Sequence, residues 1–254
     1  LQKIDLLILS TTSKNRLQLI KKLCSENIIR NFLIEKVVFQ DELSFNECLK
    51  IFKKKNIKAW VNTPCRIYPD YLKLKKKVKS SRIRMSVKGS NINIGSNLIH
   101  YLDLFSFLAS SKNIFLEKNF LNKKIYKSKR KGFIEFGGTL IFSTRRKDKL
   151  LINDERIGFE SSKINIAFDK KEILIDESSN IATYYNSHKI KKIKFQIPYQ
   201  SDLTNKIAKS ILQGSCKLPS LNVSSLIHKL MIRIFKNAMN ENSKSKKAKF
   251  IKIT

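Results

Sequence analysis

The chain is poor in the residues that make simple signatures. Its 254 positions hold four cysteines, four prolines, seven glycines, three histidines and one tryptophan. The cysteines stand at 24, 48, 65 and 216 with no C-x-x-C pair, which gives neither a zinc site nor a disulfide framework. They read as reduced thiols of a cytoplasmic protein. Histidines, cysteines and carboxylates do not gather at ligand spacings, so no metal site is expected. No apolar run approaches the length of a membrane span, and no signal peptide is expected. G-x-G-x-x-G, the P-loop and G-x-S-x-G are all absent, which removes the common nucleotide and nucleophile-elbow motifs. Acidic residues are scarce too, 20 against 52 Lys+Arg, for a net charge of +32. A composition 42% hydrophobic nevertheless excludes a disordered tail and supports one large domain or two small ones.

Such a charge invites a nucleic-acid reading through counterion release at phosphates. The kind of base argues otherwise. Lys outnumbers Arg by 42 to 10, although Arg is the better fork for phosphates and base edges. Ile (34) and Asn (21) are abundant while Ala and Gly number 7 each. A strongly AT-biased genome accounts for all these counts together. The basic residues are also scattered, over 53–55, 75–77, 123–131, 189–194 and 244–249. They read as solvated faces and loops, with no specific nucleic-acid partner; a basic nucleic-acid-binding protein stays as a rival reading.

Ile4–Leu9 is a continuous apolar run of the kind a strand buried on both faces shows. It ends in the polar turn Ser10–Ser13, and Leu17, Ile20, Leu23 and Cys24 then recur at helical spacing to about Asn27. Asn31–Glu35 is a second short strand. Ser44–Lys54 is a helix with Phe45, Leu49 and Phe52 on one face and a capping box from Ser44 to Glu47. Ala59–Val61 is a third strand, closed by Asn62, Thr63 and Pro64. This alternation predicts a parallel sheet wound with helices, whose ligands bind at the strands' carboxyl ends. After Tyr71 a basic stretch over 73–88 leads to a loop between Gly89 and Gly95. Asn97–Ser110 is a helix apolar almost all round, with Ser96, Asn97, His100 and Asp103 on one stripe. From Asn113 to Pro198 the pattern is mostly β, an antiparallel or mixed sheet of five or more strands. Asp202–Leu212 and Ser224–Ala238 are closing helices, and 243–249 is a loop.

Three groups of side chains could carry chemistry. Glu35 and Lys36 end a strand at the ligand edge, where a partly desolvated ammonium can polarise a substrate oxygen; a solvent-facing pair is the plainer alternative. His100 beside Asp103 on a buried helix could exchange a proton with a substrate hydroxyl, or be a core histidine satisfied by Asp103 or Asn97. Asn62 and Arg66 flank Pro64 at the third strand's carboxyl end, where turn chemistry for Asn62 and a surface charge for Arg66 are the plainer readings. His188, in a loop, and His228, on the last helix, read as structural.

The order of these parts resembles the Gfo/Idh/MocA family of NAD(P)-dependent sugar and polyol oxidoreductases. IDLLILSTTSKNR, FLIEKVVF, WVNTPCRIYPDY and SNLIHYLDLFSFL follow one another as that family's threonine turn, Glu-Lys-Pro, R-x-x-P and H-x-x-D segments do. Thr11 falls at the threonine, Glu35 and Lys36 at Glu-Lys, Arg66 with Pro69 at R-x-x-P, and His100 with Asp103 at H-x-x-D. QSDLTNKIAKSIL, LPSLNVSSLIHKLM and the closing KIT are similar to a branch found in capsule and surface-glycan gene clusters. Three departures stand out. The family's opening βαβ unit with G-x-G-x-x-G is absent, Val37 replaces the proline after Glu-Lys, and Ser96 stands where many members carry Asp.

The resemblance implies an α/β protein, a partial Rossmann-type parallel sheet followed by an α/β domain with an open mixed or antiparallel sheet. Residues 1–64 would be the C-terminal part of a nucleotide-binding domain and 65–254 the substrate domain, the chain being an N-terminally shortened dehydrogenase that is inactive as such. It implies NAD or NADP as cofactor and a small-molecule carbohydrate as substrate. His100 and Lys36 would be catalytic, with Ser96, Asn97 and Asp103 in support. Thr11, Thr12, Glu35, Lys36 and Asn62 would line the cofactor, and Arg66 the substrate. A non-catalytic scaffold or binding relative of the same fold is a further alternative, and an open sheet makes a homo-oligomer an option.

Overall fold

The structure, a computed structural model, describes residues 1–158, 161–186, 189–241 and 248–254. His188 and most of the loop expected over 243–249 therefore lie outside the described residues. The chain divides into two units, Leu1–Pro64 with Pro198–Thr254, and Cys65–Ile197.

The first unit begins with strands β1 (Gln2–Ile4) and β2 (Leu7–Leu9), helix α1 (Arg16–Glu26), strands β3 (Asn27–Ile29) and β4 (Asn31–Glu35), helix α2 (Glu42–Lys54) and strand β5 (Lys58–Asn62). β2, β4 and β5 form a parallel sheet in that order, and β1 pairs with β3, also in parallel. The apolar run expected as one strand is broken at Asp5, whose carbonyl accepts from Asn31 Nδ2 at 2.7 Å and whose carboxylate pairs with Arg30. Nor is it buried on both faces: β2 is an edge strand and Ile8 is 44% exposed. The central β4 has that character, with Phe32, Leu33 and Ile34 all buried. α2 starts two residues before the expected capping box. Its cap is Asp41, whose carboxylate accepts from the Ser44 amide at 2.8 Å and the Ser44 hydroxyl at 2.7 Å.

The second unit holds helix α3 (Pro69–Lys77), strand β6 (Arg84–Gly89), helix α4 (Ile94–Leu108) and strands β7 (Phe115–Leu121), β8 (Tyr126–Lys127), β9 (Ile134–Glu135), β10 (Gly138–Ser143), β11 (Lys149–Asp154), β12 (Lys163–Phe168), β13 (Lys171–Asp176), β14 (Ile181–Asn186) and β15 (Lys189–Lys194). An eight-stranded mixed sheet runs β15-β14-β13-β12-β6-β11-β10-β7, parallel only between β6 and β11. Period-two burial fixes its register: Met85, Val87, Leu150, Ile152, Ile164, Ile166, Ile173 and Ile175 are buried on strands whose alternate residues are not. β6 sits in the middle of this sheet within a stretch that reads as merely basic, because Arg84 and Lys88 occupy its outward positions.

Helices α5 (Gln200–Leu212) and α6 (Leu221–Glu241) return to the first unit. α6 packs on α2 and β5 and buries Ile227, Met231, Ile234 and Phe235. The Val61 amide donates to Pro219 O at 3.0 Å and the Ile251 amide to Gln40 O at 2.9 Å. Residues 198–254 thus differ from the expected grouping with 65–197. Apolar periodicity marks a helix face but does not say which sheet it will cover.

Candidate functional site

At the carboxyl edge of the parallel sheet, register sets Glu35 beside Asn62, and Asn62 Nδ2 donates to Glu35 Oε1 at 2.5 Å. The organising side chain is one that periodicity did not single out. Arg16, 1% exposed at the start of α1, donates from Nη1 to the carbonyls of Glu35 (2.6 Å), Val37 (2.7 Å) and Val38 (3.0 Å). Its Nη2 donates to Thr11 O, and its Nε reaches Thr11 Oγ1 at 3.4 Å. One planar five-donor fork thereby ties the turn after β2 to the turn after β4. Burial pushes the guanidinium down to about 10, opposed by the Glu35 charge, so it stays cationic at neutral pH. Its scarcity was the available signal: an arginine directly after a polar turn in a chain that otherwise uses lysine.

Thr11, Glu35 and Asn62 therefore share one edge, with Thr12 half-buried in the same turn. Lys36 follows Glu35 directly, and the Lys36–Val37 peptide is cis. Among the described residues, Asn62 Oδ1 and Thr63 Oγ1, both buried, have no hydrogen-bond partner. Orphaned polar atoms at a strand's carboxyl end fit the hydroxyls and amide of a ligand such as the ribose–nicotinamide half of a dinucleotide. The turns of this sheet contain no glycine, the first in the chain being Gly89, so they do not form a glycine cradle for a pyrophosphate.

The second unit holds the other expected residues. Arg66 forks onto Asp103, Nε to Oδ2 at 2.7 Å and Nη2 to Oδ1 at 2.6 Å, with side-chain exposures of 12% and 1%. The guanidinium also lies 5.4 Å from the Phe107 ring centre. The arginine of R-x-x-P and the aspartate of H-x-x-D are thus one buried ion pair. Arg66 was expected at a substrate and Asp103 at His100; the structure joins them to each other. His100 is half-buried on α4, one turn before Asp103. Asn97 Nδ2 donates to Ile92 O at 2.8 Å, which anchors the loop before the helix. Ser96 contributes its amide to Glu135 Oε2 at 3.1 Å and its hydroxyl to Asn93 O at 3.3 Å. Glu135, 3% exposed on β9, brings a carboxyl to the positive end of α4, and burial pushes that carboxyl up. Nothing in the sequence pattern singled it out beyond a lone acid in an apolar strand.

His228 is fully buried in the first unit. Its Nδ1 donates to Ser224 O at 2.9 Å, and its Nε2 accepts from the Val38 amide at 3.3 Å. Both ring nitrogens are accounted for structurally, as expected.

No protein-family model matches the chain, and no curated protein matches it significantly. Solved structures do. A Gfo/Idh/MocA family oxidoreductase from Vibrio cholerae superposes with a TM-score of 0.67 at 13% identity, over 92% of this chain and 78% of that one. The chain has the Gfo/Idh/MocA oxidoreductase fold. An oxidoreductase from Agrobacterium radiobacter in complex with NAD+, L-tartaric acid and magnesium matches at 0.68 and 12% identity, over 93% and 78%. The transcriptional regulator Gal80p from Kluyveromyces lactis matches at 0.66 and 16%, over 94% and 73%. The Gfo/Idh/MocA fold thus serves both oxidoreductases and a regulator among these neighbours. Among the described residues no helix is long and apolar enough to cross a membrane, and no group of three or more His, Cys, Asp or Glu could hold a metal ion.

Proposed function

We propose that the protein is a Gfo/Idh/MocA-type NAD(P)-dependent oxidoreductase, moving a hydride to or from a sugar, nucleotide sugar or polyol in surface-glycan synthesis. The observation that carries this reading is the joining of R-x-x-P to H-x-x-D. Arg66 forks onto Asp103 one turn from His100, in a chain with the oxidoreductase fold. Thr11, Thr12, Glu35, Lys36 and Asn62 would hold the cofactor's ribose–nicotinamide end, with the orphaned Asn62 and Thr63 oxygens as its polar partners. When bound, NAD(P) accepts or supplies the hydride.

The chain's own residues handle the proton and the position. In the oxidising direction the imidazole of His100 would take the proton of the substrate hydroxyl. Lys36 orients the reacting oxygen through its ammonium. The Arg66–Asp103 pair fixes the α4 turn that bears His100. Ser96 and Asn97, hydrogen-bonded to the segment before the helix, set its entry.

In a protein that also carries the family's G-x-G-x-x-G unit, His100→Ala should lower hydride transfer from labelled NAD(P)H into a panel of nucleotide sugars by about 10²–10⁴-fold. Cofactor binding, followed by nicotinamide fluorescence, should be nearly unchanged. Turnover like that of the unmodified protein would remove His100 from the mechanism. A non-catalytic relative is the second reading, favoured by Val37 and Ser96 at two positions where the resembling family carries proline and commonly aspartate. Stereospecific hydride transfer from the labelled cofactor would eliminate it.

A further inference from the structure

A second concave surface lies at one end of the eight-stranded sheet, wholly within residues 65–197, with a volume of about 770 Å³. That is the size of a small-molecule site. Six cations line it (Arg82, Arg84, Lys147, Lys149, Lys170 and Lys171) against two carboxylates. Both carboxylates are already engaged, Asp169 by the Ser81 hydroxyl and Glu172 by Asn165 Nδ2. Lys149 pairs with Glu117. The other five cations have no ion-pair or hydrogen-bond partner for their side chains among the described residues.

Composition alone does not produce this. AT bias supplies lysine, whereas four of the chain's ten arginines, at 82, 84, 145 and 146, fall at this sheet end. Arg82 and Arg84 are two residues apart on an extended segment, both exposed, with Ile83 buried between them, so they face the same way. The opposing turn is built rigidly. Asp148, fully buried, accepts from the Ile83 amide at 2.9 Å and from Thr144 Oγ1 at 2.6 Å, while Arg146 Nη2 donates to Ser81 O at 2.9 Å. Lys147, at φ 65°, is thereby held on the same end as the two arginines. The hairpin turn Asp169–Lys170, at φ 43° and 59°, closes the other side. Tyr185, 37% exposed, adds an aromatic face among these charges.

We propose that this groove binds a nucleoside diphosphate. Two linked phosphates suit a pair of arginine forks flanked by unpaired lysines, and the base has Tyr185 to stack on. The site is independent of the hydride-transfer reading.

Titration calorimetry of the whole protein with ADP, UDP and inorganic pyrophosphate tests it. Saturable binding at physiological salt is expected, tighter for the nucleotides than for pyrophosphate. Arg82→Gln/Arg84→Gln should weaken it by roughly tenfold or more, two charge-assisted hydrogen-bonding groups being lost. The charge-matched control Lys206→Gln/Lys209→Gln on α5, in the other unit, should leave it unchanged. In the unmodified protein, bound ADP should shield Lys147 and Lys170 from acylation read by mass spectrometry, which needs no variant to fold. Equal weakening in the control, absent shielding, or pyrophosphate binding as tightly as ADP would overturn the proposal. Asn62→Leu, in the other unit, separates this site from cofactor binding: nucleotide binding that disappears with it belongs to the parallel sheet and also overturns the proposal.

Discussion

His228 shows how much a single residue can hold. Its imidazole is neutral by construction, because Nε2 accepts from the Val38 amide and Nδ1 donates to Ser224 O. Burial pushes it down to about 4, with the Arg16 and Lys36 charges adding in the same direction. An unfolded histidine titrates near 6.5. Between these values the unfolded chain binds a proton that the folded chain does not, so stability falls as pH drops from about 6.5 toward about 4. The loss is on the order of 3 kcal/mol when complete. Denaturant unfolding at a series of pH values should show that slope, and His228→Gln should remove it from this window while lowering stability overall. An unchanged slope in the variant would assign the acid sensitivity elsewhere. His228 was legible in sequence as structural, since it lies on an amphipathic helix. Arg16 was not, because its four carbonyl partners come from turns whose meeting depends on the sheet register.

At the scale of elements, α4 was the most readable part of the molecule and its start the least. A helix apolar nearly all round announces its burial, and Ile94–Leu108 is buried at ten of its fifteen positions. The helix begins three residues earlier than expected because its first turn is stabilised from outside. Glu135 accepts from the Ser96 amide, and Asp154 Oδ2 from the Asn93 amide at 2.9 Å. Neither partner is local, so no capping pattern in the sequence could show it. Gly95 makes the approach of β9 possible. A Cβ there would stand 2.7 Å from Glu135 Oε2, 3.0 Å from Ile134 O and 3.3 Å from Glu135 Cα. Gly95→Ala gains up to about 1 kcal/mol of helix propensity but loses about 1–3 kcal/mol to overpacking, because two of the three contacts are backbone. The expected result is a lower denaturation midpoint than the unmodified protein; a higher midpoint would mean that β9 yields freely. β6 was hidden for a different reason. Its outward Arg84 and Lys88 conceal a central strand whose inward Met85 and Val87 are 2% and 0% exposed.

For the whole molecule, the sequence announced the βαβ order and the mixed sheet, both set by local apolar periods. It did not announce the return of residues 198–254 to the first unit, a long-range choice between two apolar surfaces. Charge is the other whole-molecule property. With 20 acids against 52 bases, complete pairing would still leave a net charge of +32. Among the described residues the ion pairs include Lys21–Glu47 and Arg233–Glu42, surface contacts worth roughly 0–1 kcal/mol each. Salt weakens these pairs, but it weakens the repulsion among the excess cations more, since their number is larger and their spacing comparable with the Debye length of about 8–10 Å near 0.1 M. Raising sodium chloride from about 0.02 to about 0.3 M should therefore raise Tm, and sucrose at equal osmolality should not reproduce the same gain at low salt. If Tm is flat or falls over that range, either the excess cations lie too far apart to repel appreciably or a bound anion already offsets their densest cluster. Repeating the scan in Arg82→Gln/Arg84→Gln distinguishes those two cases: a Tm that becomes salt-sensitive in the variant locates the anion in the groove between β6 and the hairpin turn at Asp169–Lys170.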